Sequence, residues 1–148
     1  MSVKVTGMRD FQSQIKKLGA AFSDAVEQGT FVTAQEIRTY AIQSIQEVSS
    51  GRQVQRSRQG GGTYTHTAAA EGQAPNTDTG KLVASIAADK VGKATYSVGS
   101  ALPYASWLEF GTTKMGARPW LIPASRARGN NLIANISEVV DIYIKRLA

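Results

Sequence analysis

Residues 76–99 read Asn-Thr-Asp-Thr-Gly-Lys-Leu-Val-Ala-Ser-Ile-Ala-Ala-Asp-Lys-Val-Gly-Lys-Ala-Thr-Tyr-Ser-Val-Gly, and their punctuation decides the fold class. Asp and Thr side chains accept hydrogen bonds from the free N–H groups that open a helix, so Asp78 is predicted to cap a short helix over 81–85. Two strands are predicted next, over 86–90 and 94–99, around Val91-Gly92-Lys93. In the second strand Ala94, Tyr96 and Val98 share one face while Thr95 and Ser97 share the other, the period-2 pattern of a half-buried hairpin.

Upstream the period changes from 2 to 3.6. Phe11, Ile15, Leu18, Phe22 and Val26 fall on one helical face, and Ala34, Ile37, Ala41, Ile45 and Val48 repeat the spacing. Gly19 is expected to interrupt the first helix, and Ser23-Asp24 to cap a second running to about 48. Gly29 inside it costs about 1 kcal/mol relative to alanine. Downstream, Pro103 to Gly111 carries the proline-in, glycine-out asymmetry of one short helix. Residues 118–123 are expected to be extended. Leu132, Ile136, Val139, Tyr143 and Leu147 then predict a C-terminal helix, with Ala124 as its earliest start. A short polar-apolar alternation at Val3 and Val5 precedes everything else. The fold class is therefore α+β: long N-terminal helices, a small antiparallel sheet with short helices, and a C-terminal helix.

Between helix and sheet the pattern stops. Residues 49–77 have no period, three consecutive glycines and almost no aliphatic side chains, so a flexible basic loop carrying Arg52, Arg56 and Arg58 is expected there. No internal repeat or second domain is evident, and residues 1–148 read as a single domain.

Composition narrows the chemistry. The 148 residues contain no cysteine and one histidine, which excludes a disulfide framework, a thiol nucleophile and a multi-histidine metal centre. The net charge of +6 lies wholly within residues 51–128, because both ends are balanced. No apolar run approaches the ~20 residues that cross a bilayer, so no membrane association is expected. The N-terminal residues lack a signal-peptide core, and a cytoplasmic site of synthesis and assembly follows as the expectation.

His66 lies among threonines with only Glu71 as a nearby carboxylate in sequence and reads as a solvated loop histidine. Asp78 and Glu109 could form a glycosidase pair, but a helix cap and an arginine partner are commoner uses of such carboxylates. Arg118 is the expected partner of Glu109. The arginines at 52, 56 and 58, with Tyr64 able to stack on bases, suit either nucleic-acid contact or a subunit interface. Tyr104, Trp107, Phe110 and Trp120 gather within seventeen residues. Core packing is expected for Phe110 and Trp120, and interface anchoring for Tyr104 and Trp107.

Two stretches resemble a known family. Gly72-Gln73-Ala74-Pro75-Asn76-Thr77-Asp78-Thr79-Gly80-Lys81-Leu82, followed by Ser85-Ile86, is similar to the G-x-x-P-x-x-D-T-G-x-L-x-x-S-I stretch of the tail-completion, or neck, proteins of long-tailed bacteriophages and prophages, including the minor tail protein Z type. Tyr104-Ala105, Leu108-Glu109-Phe110-Gly111-Thr112, Lys114-Met115 and Ala117-Arg118-Pro119-Trp120-Leu121 resemble that family's second signature, with Trp120 where phenylalanine is more usual. The resemblance implies a structural virion protein of the head–tail junction and not an enzyme, with no metal or cofactor. It implies a ring, commonly sixfold, around the DNA channel, assembled in the host cytoplasm. Its partners would be the tail terminator, the tail tube, head-completion or connector proteins, and DNA in passage. The alternatives are a tail terminator and a small basic nucleic-acid-binding module.

Overall fold

A computed structural model describes residues 8–147; the alternation at Val3 and Val5 lies outside them. The chain is α+β. Its first element, α1 (Met8–Gln46), is one helix of 39 residues, about 58 Å long at ~1.5 Å per residue. The break expected at Gly19 does not occur. Leu18, Ala20 and Ala21 around it are strong helix formers, and a single glycine's cost of about 1 kcal/mol is spread over a long cooperative helix.

Two hairpins follow. β1 (Gly51–Ser57) pairs antiparallel with β2 (Thr63–Ala69), and after α2 (Lys81–Ser85) β3 (Ile86–Gly92) pairs antiparallel with β4 (Thr95–Ser100). The flexible loop expected over 49–77 is thus largely a hairpin. The strands carry the alternation of Tyr64, His66 and Ala68 with Thr63, Thr65 and Thr67, and the return between them is made by Gly60, Gly61 and Gly62, all with positive φ. The small sheet expected over 86–99 forms with β3 two residues longer, and it is one of two separate two-stranded sheets.

α3 (Pro103–Phe110) begins at proline and ends at Gly111, whose φ of 76° closes the helix. The segment expected to be extended over 118–123 turns into α4 (Leu121–Arg128), since Pro123 sits in the first turn, where its missing N–H is harmless. A 3₁₀ turn at Gly129–Asn131 separates α4 from α5 (Leu132–Leu147), so the C-terminal helix starts at 132.

The core is small and alanine-rich: Ala41, Ile45, Leu82, Ile86, Ala105, Trp120 and Ala124 meet around the C-terminal part of α1. α5 packs antiparallel on the middle of α1. Gln28 donates to the Tyr143 hydroxyl at 2.8 Å, Asn135 to Thr33 at 3.0 Å, and Asn131 to Glu36 at 2.9 Å. Gly29 is the contact point, for a Cβ there would lie 2.8 Å from the Ile136 backbone.

Beyond α5 the first turns of α1 stand uncovered. Phe11, Ile15, Leu18 and Phe22, which share one helical face, are each about half exposed or more. Tyr143 and Ile144 of α5 border the same apolar strip.

The β3–β4 turn is fastened to α1 by Glu27. Its carboxylate accepts from the Lys90 ammonium at 2.6 Å, from the Ala94 N–H at 2.5 Å and from the Tyr96 hydroxyl at 2.9 Å. Ala94 has φ 48°, a left-handed conformation that this contact helps to hold. The Lys90 contact foremost, then the Ala94 N–H and Tyr96, hold the Glu27 carboxyl at about 2, below the ordinary 4.5. A depressed folded-state pKa stabilises fully above the unfolded value, and that stabilisation disappears as pH falls toward the folded value. The wild-type melting temperature is therefore expected to fall more steeply than that of Glu27→Gln between pH 4.5 and about 2. Calorimetry of both proteins across that window checks this; parallel curves would contradict it.

Candidate functional site

The β1–β2 hairpin is an arm whose two faces differ. Paired residues in an antiparallel ladder share a face, so Arg52, Val54 and Arg56 lie with Ala68, His66 and Tyr64, opposite Gln53, Gln55, Thr65 and Thr67. The Gln/Thr face is polar, with Gln55 donating to Thr65 at 3.0 Å. The other face turns toward the body, where Arg56, His66 and Ala68 line a cleft of about 540 Å³.

Asp78 stands on the opposite wall. It accepts a hydrogen bond from the Tyr64 hydroxyl, and it lies 3.7 Å from Arg56 Nε and 3.8 Å from His66 Nδ1. The hydrogen bond to Asp78 pushes the Tyr64 phenol above its ordinary pKa of 10.0. Asp78 does not cap α2, contrary to expectation. Gly80, with φ 73°, precedes that helix without a side-chain cap, which leaves the carboxylate for the arm. His66 is likewise not a solvated histidine with only Glu71 at hand. Its side chain is 11% exposed, beside Asp78.

The two signature stretches meet at the root of this arm. Asn76 donates to the carbonyls of Thr67 (2.7 Å) and Ser49 (2.9 Å), and its Oδ1 accepts from the Ser49 N–H (2.7 Å) and hydroxyl (2.8 Å). Gly72 N–H donates to Ala117 at 2.8 Å. Arg118 donates through Nε to the Ala69 carbonyl at 2.7 Å and through Nη1 to Gly116 at 3.3 Å. Residues 72–82 and 104–118 thus form a clamp that sets the angle of the arm.

The expected Glu109–Arg118 pair does not form. Glu109 is 6% exposed, and its carboxylate accepts the backbone N–H groups of Trp120 (2.8 Å), Leu121 (2.9 Å) and Ile122 (2.9 Å). It caps α4 from inside the fold, a use of the carboxylate driven by the free N–H groups and positive end of that helix. Trp120 is buried as expected, with its indole N–H toward the Ala105 carbonyl. Phe110 is not in the core. It is 72% exposed on the outside of α3, near Trp107 at 56%. The i, i+3 spacing puts both on one helical face, so Trp107 and Phe110 make an exposed aromatic patch.

The residues singled out from sequence therefore separate into four groups. Arg52, Arg56, Arg58 and Tyr64 belong to the arm, where Arg58 lies 5.7 Å from the Tyr64 ring centre. Trp107 and Phe110 form the patch. Asp78, Thr79, Gly80, Leu82, Tyr104, Leu108 and Arg118 line the cleft or its root, and Glu109 and Gly111 are internal supports. Gly111 needs its glycine, since a Cβ would meet the Met115 carbonyl at 2.8 Å across the Thr112–Met115 turn. Asn76 was the residue missed as a tie; a side chain with two donors and one acceptor group in a glycine-poor turn is the only signal for it. Among the described residues no cluster of three metal-ligating side chains occurs, and no hydroxyl is hydrogen-bonded to His66. No described helix is long and apolar enough to cross a membrane.

The family model described as "Bacteriophage HK97-gp10, putative tail-component" matches residues 9–111, which are 103 of the 148. The match spans α1, both hairpins, α2 and α3, and so includes the arm and most of its clamp. No curated protein and no solved structure matches the chain.

Proposed function

We propose, from the premise that this chain belongs to the HK97-gp10-like family and so is a structural tail component of a bacteriophage virion, that it acts at the head–tail junction as a tail-completion or neck subunit. The chain works there as a single unit, and copies of it form a sixfold ring around the channel through which DNA passes. The minor tail protein Z type is the nearest kind within this reading. Its neighbours are the tail terminator, the tail tube and head-completion or connector proteins.

The observation that carries the ring is a pair of unlike apolar surfaces at opposite ends of the molecule. One is the uncovered seam of Phe11, Ile15, Leu18 and Phe22; the other is the Trp107–Phe110 patch beside the core. Leu18 and Ala41, which mark the two ends, are about 35 Å apart along α1 at ~1.5 Å per residue. A head-to-tail contact between two different patches closes into a ring when the rotation permits, whereas a twofold dimer needs one self-complementary patch. Trp and Phe at half exposure or more are anchors of the kind that dominate interfaces.

A nucleic-acid module is the less favoured reading. Arg56 and Tyr64, which it would need for phosphate and base, are tied to Asp78, leaving Arg52 and Arg58 open on the arm.

The arm supplies the joining contact. Only Ala69 of the arm is buried in the body, so replacing residues 52–68 with a short Gly-Ser link is expected to leave folding intact. Particles made with that variant should show filled heads and completed tails that fail to join. Electron microscopy of the lysate and a plaque count check this, and normal infectivity would contradict it.

A further inference from the structure

We propose that the cleft between arm and body is a peptide site that receives an extended acidic segment of another virion protein. An apolar side chain of that segment rests on the floor, and its carboxylates meet the rim. This inference stands on the cleft alone and does not depend on the ring.

The floor is apolar, formed by Ile45, Leu82, Leu108 and Pro75, while Arg56, Lys81 and Arg118 bring three cations to the walls. Asp78 is the one carboxylate lining the cleft, and it is already matched by Arg56 and Tyr64. Arg118 forms no ion pair among the described residues, and its bonds go to neutral carbonyls. Lys81 is exposed and lies within ion-pair distance of no carboxylate among the described residues. A volume of about 540 Å³ is the size of a small-ligand pocket and admits one large side chain with its flanking backbone.

An apolar floor under a cationic rim selects a ligand that is apolar and anionic at once. A DNA backbone offers charge but nothing for the floor, and a duplex is too wide to reach it. A second copy of this chain also fits poorly. Its other carboxylates sit in helices (Asp10, Asp24, Glu27, Glu36, Glu109, Glu138 and Asp141), in β3 (Asp89), or at Glu47 and Glu71, where the backbone is tied down by the bonds Glu47 N–H to Gln43, Ala70 N–H to Ser50 and Gly72 N–H to Ala117, so none lies on an extended described segment free to enter. The occupant is therefore a different chain.

The test uses the full-length protein and a fluorescein-labelled peptide with one phenylalanine between two pairs of aspartates. Anisotropy is expected to show saturable binding, with amide NMR shifts concentrated at 76–82 and 64–68. The all-asparagine analogue should bind about tenfold more weakly, and Lys81→Glu should weaken the acidic peptide by a similar factor. Lys93→Glu, on the β3–β4 turn, should leave affinity unchanged, and melting curves of both variants establish that they fold. Three results would overturn the proposal: no binding, equal binding of the two peptides, or shifts confined to the arm tip and reproduced by a short DNA duplex.

Discussion

Glu109→Ala is expected to destabilise the protein by about 3–5 kcal/mol, a large part of the ~5–15 kcal/mol that holds a domain together. The carboxylate is buried and accepts three successive backbone N–H groups at the start of α4. Alanine leaves those donors facing protein instead of water, and each unsatisfied buried donor costs about 1–3 kcal/mol, less where water can enter. The partial positive charge of the helix start also loses its counter-charge. Trp120 should move with the cap, because its own N–H is one of the three, and the core around Ala105 and Ala124 loosens with it. Glu109→Gln keeps the shape and one oxygen but turns an N–H₂ toward the same donors, so a smaller loss of about 1–2 kcal/mol is expected. Urea denaturation with fluorescence of the two tryptophans measures both. A Glu109→Ala loss below 0.5 kcal/mol would remove the cap from the account, since surface substitutions stay within about that range.

The second large effect concerns two glycines of one helix with opposite signs. Gly29→Ala is expected to destabilise by about 1–3 kcal/mol, because the new methyl meets the Ile136 backbone, which cannot rotate away. α5 must lift, and the bonds from Asn131 and Asn135 to Glu36 and Thr33 lengthen with it. Gly19→Ala meets nothing within 4 Å and should stabilise by up to about 1 kcal/mol, the ordinary helix preference for alanine. Hydrogen exchange separates the two cases. Gly29→Ala should speed exchange of the α5 amides and leave the β3–β4 amides unchanged, whereas unchanged α5 exchange would show that the helices are not in this contact.

α5 and the two halves of α1 are legible in their long apolar periods, and α2, α3 and the second hairpin in their punctuated ends, whereas the start of α4 is not legible. α2 and α3 appear over the predicted residues, and β3–β4 within two residues of them. Gly29 looked like a plain cost in the sequence; its reason is a helix 107 positions away, which no local pattern can display. Continuity of α1 through Gly19 rests on neighbours that favour helix and outweigh one glycine. The arm was hidden by composition, since threonine and arginine in place of valine and isoleucine make a strand look like a loop, although the period-2 alternation was present. The partners of Asp78 and Glu109 depended on tertiary approach. Glu109 has Arg118 close by in the chain, but Arg118 is drawn to the Ala69 carbonyl and Glu109 to free helix N–H groups, while Asp78 meets Arg56 and Tyr64 of the distant arm. The exposed Phe110 lies about 100° round the helix from Glu109, on the outer face it shares with Trp107.

The measurement that tests the assembly reading most directly is the mass of the purified protein in solution, by light scattering at low and high salt, with and without a short DNA duplex, for the wild type and for Leu18→Asp. The account predicts a closed oligomer near six times the 15.8 kDa chain, indifferent to DNA, that falls to a monomer when aspartate enters the apolar seam. A wild-type monomer that binds the duplex tightly at low salt and releases it at high salt would contradict it.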